Sequence, residues 1–94
     1  MKTYEGLFII EPDAASERFD QVKTALAQDI ERYKGSVTKA EELGQSTLSY
    51  PIKHCTEGFY YLLEFTVDPA ALTDIRNRYR LNSDVLRCLI TARG

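Results

Sequence analysis

The chain has no tryptophan, one methionine, one histidine, two cysteines and three prolines among its 94 residues. Each scarcity excludes something. With His54 the only histidine, neither a Ser-His-Asp triad nor a two-histidine metal site is expected. His54 and Cys55 are neighbours, but consecutive residues of an extended chain point to opposite sides, so they do not face each other as base and nucleophile. Two cysteines, Cys55 and Cys88, are too few and too far apart for a disulfide scaffold or a zinc site, which suits a reducing cytosol. Apolar runs such as Leu7–Ile10 are strand-sized and far short of a membrane span. The opening Met1-Lys2-Thr3-Tyr4 moves straight into that strand, so no signal peptide is expected. Charge of one sign is also missing. The net charge is −2, which argues against a generic, strongly basic nucleic-acid binder.

What charge there is lies unevenly. Residues 1–52 carry six Lys/Arg against nine Asp/Glu, a net of −3, whereas Arg76, Arg78, Arg80, Arg87 and Arg93 face only Asp84, a net of +4 for the C-terminal quarter. Glu41 and Glu42 form a small acidic pair best read as a solvated strand end.

The chain reads as one domain, 1–94, without repeats, low-complexity tracts or linkers. Thr3–Ile10 is rich in β-formers and meets a turn at Pro12-Asp13. Helical spacing follows, with Phe19, Val22, Leu26, Ile30 and Tyr33 on one face, Asp13 or Ser16 placed to cap its start and Gly35 placed to end it. Residues 36–50 form a long extended segment in which Gly44 predicts a bulge. Pro51 cannot donate to a ladder, so it marks an edge strand or the end of pairing, and the hairpin tip beyond it is expected to project. Residues 59–67 alternate as a third strand. Asp68-Pro69 opens a second helix with Leu72, Ile75 and Tyr79 as its buried stripe. Residues 85–91 form a fourth strand, with Leu86, Cys88 and Ile90 opposed to Val85, Arg87 and Leu89. The order βαββαβ with right-handed crossovers predicts an α+β, ferredoxin-like fold: a four-stranded antiparallel sheet with two helices on one face.

Helices on one face leave the other open, and an open face should be polar in a protein that works alone. Here the strands are apolar on both parities. Leu7, Ile9, Tyr60, Leu62 and Leu89 are therefore expected to form an apolar surface for a partner protein.

Two functional motifs of this topology match poorly. Glu57-Gly58-Phe59-Tyr60-Tyr61-Leu62 resembles the third-strand signature of RNA-recognition modules, but Glu57 replaces the basic residue, Tyr60 the small one, and Glu64 an aromatic. An acylphosphatase-like enzyme needs a glycine-rich phosphate loop with a base after strand one, and Glu11-Pro12-Asp13-Ala14-Ala15 has neither.

A set of landmarks in fixed order covers nearly the whole chain: Tyr4-Glu5, Pro12, Gly35-x-Val37, Glu42-Leu43-Gly44, Leu48-Ser49-Tyr50-Pro51-Ile52-Lys53, Gly58 and Asp84-Val85-Leu86-Arg87. With these the sequence resembles the bacterial small-subunit ribosomal protein S6 family, whose most specific run is Leu-Ala-Tyr-Pro-Ile followed by a basic residue. The resemblance implies a ferredoxin-like fold, no catalysis, no cofactor and no metal. It implies a place in the small (30S) ribosomal subunit in the cytoplasm, where the family pairs with ribosomal protein S18 and the pair binds the central domain of small-subunit rRNA. Carried over by position, the rRNA-facing residues are Lys2 and Tyr4 in strand one, Lys53 and His54 at the hairpin tip, and Arg80, Arg87 and Arg93 near strand four; Arg76 and Arg78 are not counted among them. Two features depart from the family. Gln45-Ser46-Thr47 stands where one or two arginines usually follow Gly44, and the sequence stops at Thr91-Ala92-Arg93-Gly94, where many relatives carry a polar tail that packs on the partner. A stand-alone protein-interaction or ligand-sensing module of the same superfold remains the alternative.

Overall fold

Strand β1 (Lys2–Ile10) organises the molecule. In the computed structural model, which describes residues 1–93, it lies inside a four-stranded antiparallel sheet of order β2-β3-β1-β4. Its neighbours are β3 (Cys55–Val67) and β4 (Val85–Ala92), while β2 (Ser36–Ile52) pairs only with β3 and forms one edge. The alternation of β1 decides which groups are buried. Tyr4, Phe8 and Ile10 point to the helices and join Leu63, Phe65, Val67 and Ile90 in the core, whereas Leu7 and Ile9 turn to the other face and stay half-buried. A fully buried side chain of this size contributes about 1.5–3 kcal/mol.

The first helix is split. Pro12 begins α1 (Pro12–Glu17), and the Glu11 carboxylate, rather than Asp13 or Ser16, caps it by accepting from the amides of Asp13 and Ala14. Arg18, at φ −145°, leaves the helical conformation before α2 (Phe19–Arg32) resumes. No proline or glycine signals this break. Its consequence is tertiary: the Phe19 ring meets Phe59 and Tyr61 edge-on at 4.9 and 5.4 Å, a favourable geometry for aromatic pairs. Val22, Leu26 and Ile30 are buried beyond it.

Gly35 does not serve as the left-handed helix cap expected of it. Lys34 adopts that conformation, at φ 64°. Gly35 is required by space instead, because a Cβ there would lie 2.7 Å from the Thr66 carbonyl oxygen and 2.8 Å from Ile30 Cγ2. Gly44, by contrast, does sit at a break in the β2–β3 register, with φ 99°.

The second helical segment starts with a 3-10 turn, Pro69–Ala71, capped by the Asp68 carboxylate on the Ala70 amide, and continues as α3 (Leu72–Leu81). Ile75 and Tyr79 are fully buried and Leu72 only partly so. The Tyr79 hydroxyl donates to the Leu26 carbonyl at 2.8 Å, which ties α3 to α2. The β4 alternation is interrupted: the pairing shifts between Ile9 and Ile10, so Val85 and Leu86 are both buried, not opposed.

Replacing Gly35 by alanine should destabilise the protein by about 1–3 kcal/mol, because the new methyl meets backbone that cannot yield cheaply. Urea unfolding checks this; an unchanged midpoint would refute the close approach.

Candidate nucleic-acid interface

The hairpin of β2 and β3 outreaches the sheet and then folds back on it. Its two turn residues, Lys53 and His54, both have positive φ, 49° and 67°, the handedness that two-residue hairpin turns require and that side chains other than glycine seldom adopt. The expectation of a free, projecting tip is corrected by two contacts. The Lys53 ammonium donates to the Val85 carbonyl at 3.5 Å, and the Arg87 guanidinium donates to the Tyr50 hydroxyl at 2.7 Å. The tip therefore sits against the start of β4.

This docking completes a cleft of about 350 Å³ between the hairpin tip, α3 and β4. Lys53, Arg76, Arg80 and Arg87 supply its charge, and Tyr79, Val85, Leu86 and Cys88 its remaining lining. Arg76 and Arg80 reach it together because residues four apart share a helix face. Arg76 donates to the Ile90 carbonyl at 3.3 Å. Among the described residues, none of these four cations makes an ion pair with a carboxylate. Asp84, next to Val85 in sequence, is held by Arg18 at 2.7 Å, and that hydrogen bond is the main reason the Arg18 guanidinium is held above its ordinary pKa.

The other arginines of the C-terminal quarter differ in this respect. Arg78 pairs with Asp29 on α2 at 2.9 Å. Arg93 lies between Glu5 and Glu64, at 2.9 and 2.8 Å. A phosphate approaching either would meet a cation whose charge is already shared with a carboxylate.

The sequence-derived rRNA-facing residues thus separate. Lys53, Arg80 and Arg87 converge on the cleft, with His54 exposed beside Lys53 at the tip. Lys2 and Arg93 lie at the other end of β1, where the Arg93 amide donates to the Thr3 carbonyl. The two ends are about 26 Å apart at the usual rise of a strand. Tyr4 is corrected outright: its position on β1 turns the ring into the core, 5% exposed and 6.0 Å from Phe65, so the side chain is not a surface contact. Arg76, not among those residues, also lines the cleft, and its four-residue spacing to Arg80 is the sequence signal for it. Nothing local to the sequence announces the Tyr50–Arg87 bond, which joins residues on different strands. The residues after Gly44 contribute no cation; Gln45 instead donates to Glu57 at 3.2 Å.

Leu7, Ile9, Tyr60, Leu62 and Leu89 all stand on the face away from the helices. The register lays them in cross-strand rows: Tyr60–Ile9–Arg87, then Leu62–Leu7–Leu89, then Glu64–Glu5–Thr91. Leu89 is 58% exposed. Gly58 keeps this face low, since a Cβ there would collide with Ile9 Cγ2. The outcome is an apolar stripe between an arginine at one end and the Glu5–Arg93–Glu64 cluster at the other.

A basic cleft at one end of the sheet and an apolar open face mark a small α+β domain of ferredoxin-like topology. The family follows from comparison. The chain belongs to the ribosomal protein S6 family, whose sequence model matches residues 3–92. It is 33% identical over 91 residues to the small ribosomal subunit protein bS6 of Dictyoglomus turgidum, covering 97% of this chain and 94% of that one. The bS6 of Moorella thermoacetica is also 33% identical over 91 residues, covering 97% and 93%. Among solved structures, the 30S ribosomal protein S6 of Thermotoga maritima superposes with a TM-score of 0.88 at 30% identity, over 98% of this chain and 87% of that one.

Burial pushes the Cys88 thiol up from its ordinary 9.0 to about 12, although Arg76 across the cleft pulls the other way. Burial also raises the Tyr79 and Tyr61 hydroxyls. Each raised group favours its neutral form in the folded state, so this stabilisation is complete below the unfolded pKa and is lost as pH rises through the folded one. Folding stability should therefore fall between about pH 9 and 12. Cys88→Ala should make the decline shallower without abolishing it, as read from urea midpoints across that range; an identical decline in the variant would contradict the burial of the thiol.

Proposed function

We propose that this protein is a structural, non-catalytic component of the small ribosomal subunit in the cytoplasm, and that it binds the central domain of small-subunit rRNA together with ribosomal protein S18. The observation that carries the reading is the family match over residues 3–92, joined by the fate of the cations. Lys53, Arg76, Arg80 and Arg87 gather at one place with no carboxylate on them, which is what phosphate contacts need. The acidic balance of the rest of the chain limits what this cleft achieves alone, because long-range attraction for RNA depends on the summed charge. The apolar open face supplies the other half: Leu7, Ile9, Tyr60, Leu62 and Leu89 give a partner protein a surface to cover, and a protein–protein contact brings a second set of cations to the same RNA.

The stand-alone module is supported less well. The C-terminal domain of the MgtC protein from Mycobacterium tuberculosis shares the fold at a TM-score of 0.67 but only 15% identity, a reminder that this architecture serves unrelated roles.

Alone, the chain should bind an rRNA central-domain fragment no tighter than about 10⁻⁶ M at physiological salt, as for non-specific contacts. With S18 present the affinity should move to about 10⁻⁸ M or better, the range of specific complexes. Filter binding over a salt series reads both. Losing Lys53 and Arg80 together should flatten the logarithmic salt dependence of the joint complex by about 1.4–1.8. Tight binding of random RNA by the chain alone at moderate salt would overturn the proposal.

A further inference from the structure

Resting on the rRNA-binding role proposed above, we infer that the cleft between α3, β4 and the hairpin tip seats one unstacked nucleotide, its phosphate on the cations and its base against the apolar lining. The volume sets the scale. About 350 Å³ lies near the lower end of small-molecule sites, about 300–1,000 Å³, which suits a nucleotide-sized group and excludes a duplex.

The state of the cations is the second observation. Lys53 and Arg76 are anchored on the Val85 and Ile90 carbonyls, and Arg87 on the Tyr50 hydroxyl. Neutral acceptors position a cation without cancelling its charge, so the donors left over on each are aimed but unspent. The position of Lys53 is also held at some cost, since it and His54, the other turn residue, adopt left-handed backbone. Strain of this kind persists where the surrounding structure fixes it, and it clusters at ligand clamps.

Val85 and Leu86 contribute the third. The pairing shift at Ile10 buries both of them at the cleft, instead of sending one to the open face. A pocket for inorganic phosphate or for a run of backbone phosphates has no use for an apolar floor. A base taken out of its stack does, and unstacked bases are the usual target when proteins read RNA beyond its backbone.

The test uses the full chain, nitrogen-15 labelled, titrated with uridine and adenosine 5′-monophosphates, inorganic phosphate and a tetraglutamate peptide. Saturable amide shifts are expected at Lys53, Arg80 and residues 85–88 with both nucleotides. Inorganic phosphate should bind at least about fivefold more weakly, for want of the base contact, and tetraglutamate should not compete. Arg80→Ser, at an exposed position with no ion pair, should weaken nucleotide binding about tenfold, whereas Lys2→Ser at the far end of β1 should not change it. Equal affinity for phosphate and nucleotide, competition by tetraglutamate, or unsaturable shifts spread over Lys2 and Lys39 would overturn the inference. Co-sedimentation with small subunits separates the two levels. A chain that co-sediments and yet gives any of those results retains the ribosomal role and loses the nucleotide seat. A chain that takes the nucleotide but never co-sediments keeps the seat and loses the role.

Discussion

The registration of β1 between β3 and β4 is the constraint on which the rest depends. A one-residue slip would send Tyr4, Phe8 and Ile10 to the open face and bring Leu7 and Ile9 under the helices. The core would then lose two of its fully buried side chains, Phe8 and Ile10, and the cross-strand rows of the open face would dissolve. The same pairing fixes the shift at Ile10 that buries Val85 and Leu86, and hence the floor of the cleft. Core, open face and cleft are therefore not separately adjustable features. Each is a consequence of which parity of one strand faces the helices.

A second ordering principle is the kind of acceptor each cation meets. Arg18, Arg78 and Arg93 rest on carboxylates, while Lys53, Arg76 and Arg87 rest on carbonyls or a hydroxyl. Exposed ion pairs add little to stability, but they determine where positive charge remains available. The formal charge of a chain at net −2 thus conceals one concentrated basic site. Such a site reconciles an acidic composition with the proposed RNA-binding role, because the attraction it offers is local and limited rather than diffuse and strong.

The alternation of apolar residues made the βαββαβ order, the sheet and the two-faced strands legible in the sequence, because strand and helix periods are properties of single segments. The five apolar residues of the open face follow from that alternation. What the sequence did not disclose depends on contacts between segments. The helix break at Arg18 goes with Phe19 packing on Phe59 and Tyr61, and the folded-back tip with Tyr50 meeting Arg87. Tyr4 shares the parity of Phe8 and Ile10 on β1, and once that parity faces the helices its ring belongs to the core. The ion pairs of Arg93 were likewise out of reach of local pattern, because its two carboxylate partners lie 88 and 29 residues away in sequence.

The most direct measurement is a cryo-EM structure of the small ribosomal subunit containing this protein. In it Lys53, Arg80 and Arg87 should lie against rRNA, and Leu7, Leu62 and Leu89 should be covered by a neighbouring protein. A cleft left open to solvent with the apolar face turned to RNA would contradict it.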